Sequence, residues 1–393
     1  MSSKVLVSFL GTGGRAEGGE KKEYEKTKYV FPQGETIESS LITSALFKFI
    51  KPKKLIVIGT SQSVWSQLIE ILPKEEESLE YERIFEEVWG KGDVKISTLK
   101  GWEEFLSKKL GKEVSLRLVT EDDTIEIVEI LYEEILPNAS LYLDITHLFR
   151  HYPLVASFLV PILRYIKNLK DINIVYGKLK RNAPSKIVFL EEPNKLVNLL
   201  EAVALVKHTG NFEKFSEILG LKDLEKLYLK METNSQIRKN EVNSFRKKVE
   251  LFKKGNVYER ISYLALKKEV FPYLEASSVE ERMVKRALFF AKRKQFVKAY
   301  TLMIEALKSV AMQIFKIQNR DNAFKSIVKA LEINLSKEDA ETYKTINSLR
   351  NTIAHANPDK KKKIQEILSS EKKLIHWIKK GEELFYHLVG ENK

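Results

Sequence analysis

The 393-residue chain contains no cysteine. Disulfides, thiolate metal sites and cysteine nucleophiles are therefore excluded. No apolar run reaches the roughly 18 residues that a membrane-spanning helix needs. The opening MSSKVLVSFLGTGG has neither the basic start and long apolar stretch nor the cleavage site of a secretory leader. A cytoplasmic location without a membrane partner is the expectation. Neither an HExxH pattern nor a cysteine–histidine cluster is present, and Glu121, Asp122 and Asp123 read as a solvated helix start rather than a cation cage. No metal cofactor is expected.

Hydrophobic residues make up 43% of the chain, enough for sizeable cores in two or three domains. The net charge of +13 is unevenly spread. Residues 1–194 hold 27 Lys and Arg against 29 Asp and Glu, whereas residues 195–393 hold 40 against 25. All the excess positive charge lies in the second part. That asymmetry suits contact with a polyanion, because neutralising phosphates releases counterions; a merely solvated basic surface is the plainer reading.

Up to Pro193 the sequence alternates short apolar runs with amphipathic stretches, the pattern of a Rossmann-like α/β domain with a largely parallel sheet. The strand candidates are KVLVSFLG (4–11), KLIVIGT (54–60), SLRLVT (115–120), SLYLDIT (140–146) and INIVYGKL (172–179), with KIVFLEE (186–192) as a closing hairpin partner. Helices are expected over 37–50, 63–72, 123–136 and 153–169. From Lys195 onward the period is helical throughout: 194–208, 237–254, 258–271, 281–316, 322–334, 338–356 and 371–388. The serine pair in YLEASSVEER marks a soft boundary near 275–280, and the lysine run 360–363 reads as a solvated loop. An α/β part followed by two all-α parts is the expected fold class.

Three strand ends carry polar or glycine-rich loops. GTGGRA (11–16) formally matches a dinucleotide-binding fingerprint, but the polar EGGEKKEYEKTKYVF after it cannot open an apolar helix. What remains is a glycine loop whose N–H groups approach phosphates, or a plain strand-to-hairpin turn. In GTSQSVW (59–65), Thr60 and Ser61 fall near a helix N-terminus, as anion contacts or as a simple cap. LYLDITHLFRHYP (141–153) delivers Asp144, Thr146, His147, Arg150 and His151 at the end of a strand. Ligands of open α/β sheets bind at the carboxyl ends of strands, so one crevice is expected there. Asp144 and Thr146 also fit a purely loop-forming role, and His151 a cap before Pro153.

Near the C-terminus, RNTIAH (350–355) is followed by Asn357 and Pro358, a helix stop. His355 then lies close to a helix C-terminus, where the dipole favours cations. Asn351 and His355, four apart, share a helix face, while Arg350 sits well round the cylinder. One straight helix is not expected to bring Arg350 to His355; a distorted helix end or a two-fold axis would.

DITHLFRHYP resembles the D-I-T-H-x-F-R motif of CARF domains in type III CRISPR-associated proteins, and FLGTG (9–13) resembles their opening motif. Leu148 stands where a small residue is common. RNTIAH is similar to the R-x4-H motif of HEPN ribonucleases, with Asn351 beside the arginine, and Glu305 in AYTLMIEALKS resembles the acidic position of an earlier HEPN helix. The resemblance implies a CARF sensor over 1–193, a helical linker over 194–278 and a HEPN ribonuclease over 279–393. It implies a homodimer, activated by cyclic oligoadenylate (the tetra-adenylate ring favoured over the hexa-adenylate), that cuts single-stranded RNA without a metal and has no stable DNA partner. Gly11, Thr12, Gly13, Ser61, Thr146, His147 and Arg150 would contact the ring, and Arg350, Asn351 and His355 would cut RNA. His147, helped by Arg150, would also be placed to cleave the ring slowly, unless it only packs the loop or bonds adenine. Two other readings stay open: a ligand-sensing regulator with a helix-turn-helix within 195–275, and a toxin-like nuclease indifferent to the ring.

Overall fold

The computed structural model describes residues 3–15, 21–22, 24–74, 94–120, 122–147, 149–180, 183–318, 322–355 and 362–390. The chain divides into two compact units, Met1–Val197 and Asn198–Lys393.

Strands of the first unit are β1 (Lys4–Leu10), β2 (Gly14–Arg15), β3 (Lys21–Lys22), β4 (Thr27–Val30), β5 (Thr36–Ser39), β6 (Lys54–Gly59), β7 (Glu113–Leu118), β8 (Ser140–Asp144), β9 (Asp171–Lys178) and β10 (Ser185–Leu190). Eight of them form one sheet in the order β5-β4-β10-β9-β8-β1-β6-β7. β9, β8, β1, β6 and β7 run parallel, and β10 returns antiparallel to β9. All six strand candidates are therefore present. Runs such as Val5-Leu6-Val7 and Leu55-Ile56-Val57-Ile58 are buried on both faces, as a parallel sheet covered on two sides requires. Leu6, Leu10, Leu55 and Val57 serve one core, and Val5, Val7, Phe9, Ile56 and Ile58 the other.

Several expected helices need correction. Residues 36–39 form strand β5, paired antiparallel to β4, and the helix begins only at Ile42. The β-branched Thr36 and Ile37 fit a pleated surface better than a helix start. Residues 65–71 form a 3₁₀ helix rather than an α-helix. The other two helices fall at Ile125–Glu134 and His151–Ile166. After the glycine loop, Gly14 pairs with Lys22 and Arg15 with Lys21 in an antiparallel ribbon, and residues 16–20 lie outside the described residues.

Among the described residues the second unit is helical from end to end. The expected helix 281–316 is two, Val279–Lys292 and Phe296–Ile314, broken where Lys294 adopts φ +60°. Part of the expected lysine loop is helix, since Lys362 and Lys363 open Lys362–Leu368. Lys363 pairs with Glu341 at 3.0 Å, and Lys360 and Lys361 lie outside the described residues.

One core runs through this unit from Leu199 to Leu388. Buried Arg286 donates to the Met231 carbonyl and to Glu232, tying helix Val279–Lys292 to the end of helix Asp223–Glu232. Phe289 packs edge-on to Tyr273 with ring centroids 5.3 Å apart, and Arg293 lies over the Phe289 ring and donates to the Lys207 carbonyl. No helix among the described residues is long and apolar enough to cross a membrane.

Candidate functional site

Strands β8, β1 and β6 are neighbours, with Ser8 opposite Asp144 and Leu10 opposite Gly59. Among the parallel strands, β6 and β7 follow β1 on one side of it while β8 and β9 lie on the other, so the strand order reverses at β1. A ligand crevice is expected at such a point. The three loops singled out by sequence therefore gather at the carboxyl ends of adjacent strands.

Asp144 is fully buried and works inside the loop. It accepts from the Ser8 hydroxyl at 2.6 Å, from the Thr146 N–H at 3.0 Å and from the Thr146 hydroxyl at 2.5 Å. Ser8 in turn meets the Thr43 hydroxyl at 2.7 Å. Burial pushes the Asp144 carboxyl up to about 6 against the downward pull of these bonds. The Thr146 hydroxyl also accepts from the Gly177 N–H at 2.9 Å. A Cβ at position 177 would come within 2.5 Å of Ile42 and 3.2 Å of the Thr146 methyl, so glycine is required for this clip. The hydroxyl of Thr146 thus joins β8 to β9, and its donor and one acceptor site are engaged before any ligand arrives.

His147, only 8% exposed, stacks on Tyr24 with centroids 4.6 Å apart and planes 28° from parallel. Its Nε2 is buried without a hydrogen-bond partner among the described residues. Burial pushes the imidazole down to about 4, so the ring is neutral at neutral pH. Tyr24 was not legible as a site residue, because it sits in the polar stretch EYEKTKY without any motif. Gln67 holds its main chain on both sides, accepting from the Tyr24 N–H at 3.2 Å and donating to the Tyr24 carbonyl at 2.9 Å.

The remaining residues divide into braced and open ones. Ser63 donates to the Leu10 carbonyl at 2.6 Å and accepts from the Thr60 N–H at 2.9 Å, so the Thr60 amide is occupied. Ser61 is half-buried, four residues ahead of the 3₁₀ helix at Trp65 rather than at an α-helix N-terminus. The Gly11 carbonyl accepts from the Val64 N–H at 3.0 Å, and Gly13 adopts φ +73°. Thr12, Phe149 and Arg150 are exposed, and Leu148 lies outside the described residues. His151 opens the next helix rather than capping it. That helix carries Leu154, Phe158, Ile162 and Tyr165 on one exposed face, Phe158 being 72% exposed. Four large apolar residues at this spacing are unusual for a free surface.

In the second unit, helix Lys337–His355 ends with the RNTIAH residues. Arg350 and His355 do converge within one chain, contrary to the helical-wheel expectation. The Arg350 Nη1 lies 3.2 Å from His355 Nε2 and donates to Asn351 Oδ1 at 3.0 Å. A guanidinium is long enough to sweep round the last turn, which a wheel drawn from Cα positions ignores. Because guanidinium has no acceptor, His355 Nε2 must be the acceptor in this pair, which leaves the ring proton on Nδ1. Arg350 Nε is buried without a partner among the described residues, while Asn351 and His355 are exposed. Asn357 and Pro358 lie outside the described residues. Glu305 is exposed on helix Phe296–Ile314; after burial, its carboxylate is the second influence pushing the Tyr343 phenol upward.

Comparison with known proteins matches residues 5–184 to the CARF domain of the CRISPR system endoribonuclease Csx1. A CRISPR-associated protein of Methanocaldococcus jannaschii is 24% identical over 91% of this chain, which spans 63% of that relative's length. A structure of Csm6 from Enterococcus italicus, bound to cyclic hexa-2′-fluoro-hexa-dAMP, aligns with 100% of this chain and 96% of its own at 9% identity, with a TM-score of 0.39. That last likeness is too low to carry an argument. The family match coincides with the sheet, the glycine loop and the DITHLFR turn that the geometry gathers at one crevice. Residues 5–184 are therefore similar to the CARF domain of Csx1, and the chain as a whole is similar to a CRISPR-associated protein.

Proposed function

We propose that this protein is a metal-independent endoribonuclease switched on by cyclic oligoadenylate, with residues 1–193 as sensor, 194–278 as helical linker and 279–393 as the HEPN part. The observation that carries the reading is the Arg350–Asn351–His355 cluster at an exposed helix end. RNA supplies its own nucleophile, the 2′-hydroxyl, so the protein needs a base, an acid and a cation beside the phosphate. In the resting pair the guanidinium caps the lone pair of His355 Nε2. A backbone phosphate competes for the guanidinium and frees that nitrogen to take the 2′-hydroxyl proton. The 2′-oxygen then bonds to phosphorus, the bond to the 5′-oxygen breaks, and the imidazolium returns a proton to the leaving oxygen. Arg350 steadies the charge on the phosphate, and Asn351 holds the guanidinium.

The basic balance of residues 195–393 supports an RNA substrate. Homodimerisation no longer follows from the Arg350–His355 spacing. It is supported instead by the apolar face of helix His151–Ile166, which follows the DITHLFR loop and would set two copies of that loop near one dyad.

The test is single-stranded RNA incubated with the protein and EDTA, with cyclic tetra-adenylate, cyclic hexa-adenylate or neither. Cleavage only in the presence of a ring, leaving 2′,3′-cyclic phosphate ends by mass spectrometry, is the expected result. Cleavage indifferent to both rings would favour an unregulated nuclease. Ring binding without cleavage would favour a regulator.

A further inference from the structure

Tyr24 occupies the two groups of the crevice best suited to a nucleotide. Its ring lies on the face of His147, and its hydroxyl sits beside the Gly13 N–H, a contact that opposes the upward push of burial on the phenol. Gly13 presents that amide from a φ of +73°, a backbone setting that glycine adopts freely. We propose that Tyr24 is a built-in surrogate for the ligand: its ring holds a purine position on His147 and its hydroxyl holds an oxygen position at Gly13, and an adenine nucleotide binds by displacing it. The inference rests on reading the crevice as an adenylate site.

The Gln67 contacts favour displacement of the side chain over release of the loop, and two features of His147 favour a nucleotide in its place. Gln67 clamps the Tyr24 main chain through both its N–H and its carbonyl, and the same Gln67 amide donates to the Ser40 hydroxyl at 3.0 Å. Rotation about the Tyr24 side-chain bonds therefore opens the subsite while the backbone stays put. The neutral imidazole of His147 accepts a purine face without a charge to desolvate. Its buried Nε2 has no partner among the described residues, and a ribose hydroxyl entering beside a stacked base would supply one.

An internal competitor weakens the apparent affinity by the reciprocal of the fraction of time it leaves the site open. One aromatic stack and one hydrogen bond together make that factor about ten. Isothermal titration of the full chain with cyclic tetra-adenylate, cyclic hexa-adenylate and AMP tests this. Tyr24→Ala should bind whichever ring binds the wild type about tenfold more tightly, and Tyr24→Phe, which keeps the ring and loses the hydroxyl, about threefold more tightly. Circular dichroism checks that both variants are folded. Wild-type binding with equal or weaker binding by folded Tyr24→Phe and Tyr24→Ala overturns the surrogate role alone. No binding of any of the three by wild type or variants overturns the surrogate and the adenylate reading together.

Discussion

Asp144 and His147, three residues apart, should give the first unit two opposed pH dependences that nearly cancel. The Asp144 carboxyl is raised from 3.8 to about 6, so the unfolded chain loses its proton first as pH rises. Stability from this group is full below pH 3.8 and is lost by the time pH passes about 6. His147 is lowered from 6.5 to about 4, so its contribution is full above 6.5 and is lost as pH falls toward 4. At roughly 1.4 kcal/mol per pH unit, each window spans about 3 kcal/mol. Asp144→Asn keeps the shape and removes the first dependence. His147→Phe keeps a ring for Tyr24 to stack on and removes the second, at little cost because Nε2 has no partner among the described residues. Chemical denaturation between pH 4 and 8, followed by fluorescence of buried Trp65 and Trp102, gives the stability of each variant relative to wild type. The Asn variant should gain about 3 kcal/mol relative to wild type as pH rises across its window, and the Phe variant a similar amount as pH falls. Difference curves that slope the same way, or that stay flat, would refute the burial argument for both groups.

Three further outcomes follow from the same geometry. Arg350→Ala and His355→Ala should each lower ring-stimulated RNA cleavage about a hundredfold with melting temperature and ring binding unchanged, and near-wild-type cleavage by either would dismiss the cluster as a catalytic site. Phe158→Asp, on the apolar face of helix His151–Ile166, should convert a dimer to monomers by light scattering while leaving the monomer folded, since Phe158 is 72% exposed; an unchanged mass would clear that face of any role in assembly. Lys54 is buried between half-exposed Glu113 at 2.6 Å and Glu134 at 2.7 Å, and its change to Ala should cost about 1.5–3 kcal/mol of stability, because Glu113 loses its cation while Glu134 keeps Arg117. A loss below about 1 kcal/mol in denaturant titration would show the pair to be solvent-screened.

The strands of the parallel sheet were legible because short β-branched runs bounded by polar loops fit little else than a buried strand. Thr27–Val30 and Thr36–Ser39 were not, since four-residue strands show too little alternation to be told from loop or helix start. The motif loops were placed at the right strand ends, yet the inward turn of the Thr146 hydroxyl depends on Gly177, 31 residues away in sequence and adjacent only through the β8–β9 pairing. Tyr24 shows the same limit: its partners Gly13, Gln67 and His147 come from three separate segments. The Arg350–His355 contact failed for a different reason. Helical periodicity describes where Cβ atoms point, and a guanidinium reaches well beyond that.

The single core of the second unit limits how this protein can be rebuilt or recombined. Phe289 belongs to the helix that opens the last 115 residues, yet it packs against Tyr273 and is approached by Gly210, where an added Cβ would meet its ring at 3.2 Å. A chimera joined at Val279 would strip Phe289 of Tyr273 and leave Arg286 without Met231 and Glu232. Joined just before Leu199, the same graft would carry its interior intact. Exchange of sensors between proteins of this build, by gene fusion or in the laboratory, should therefore succeed at one seam and fail at the other.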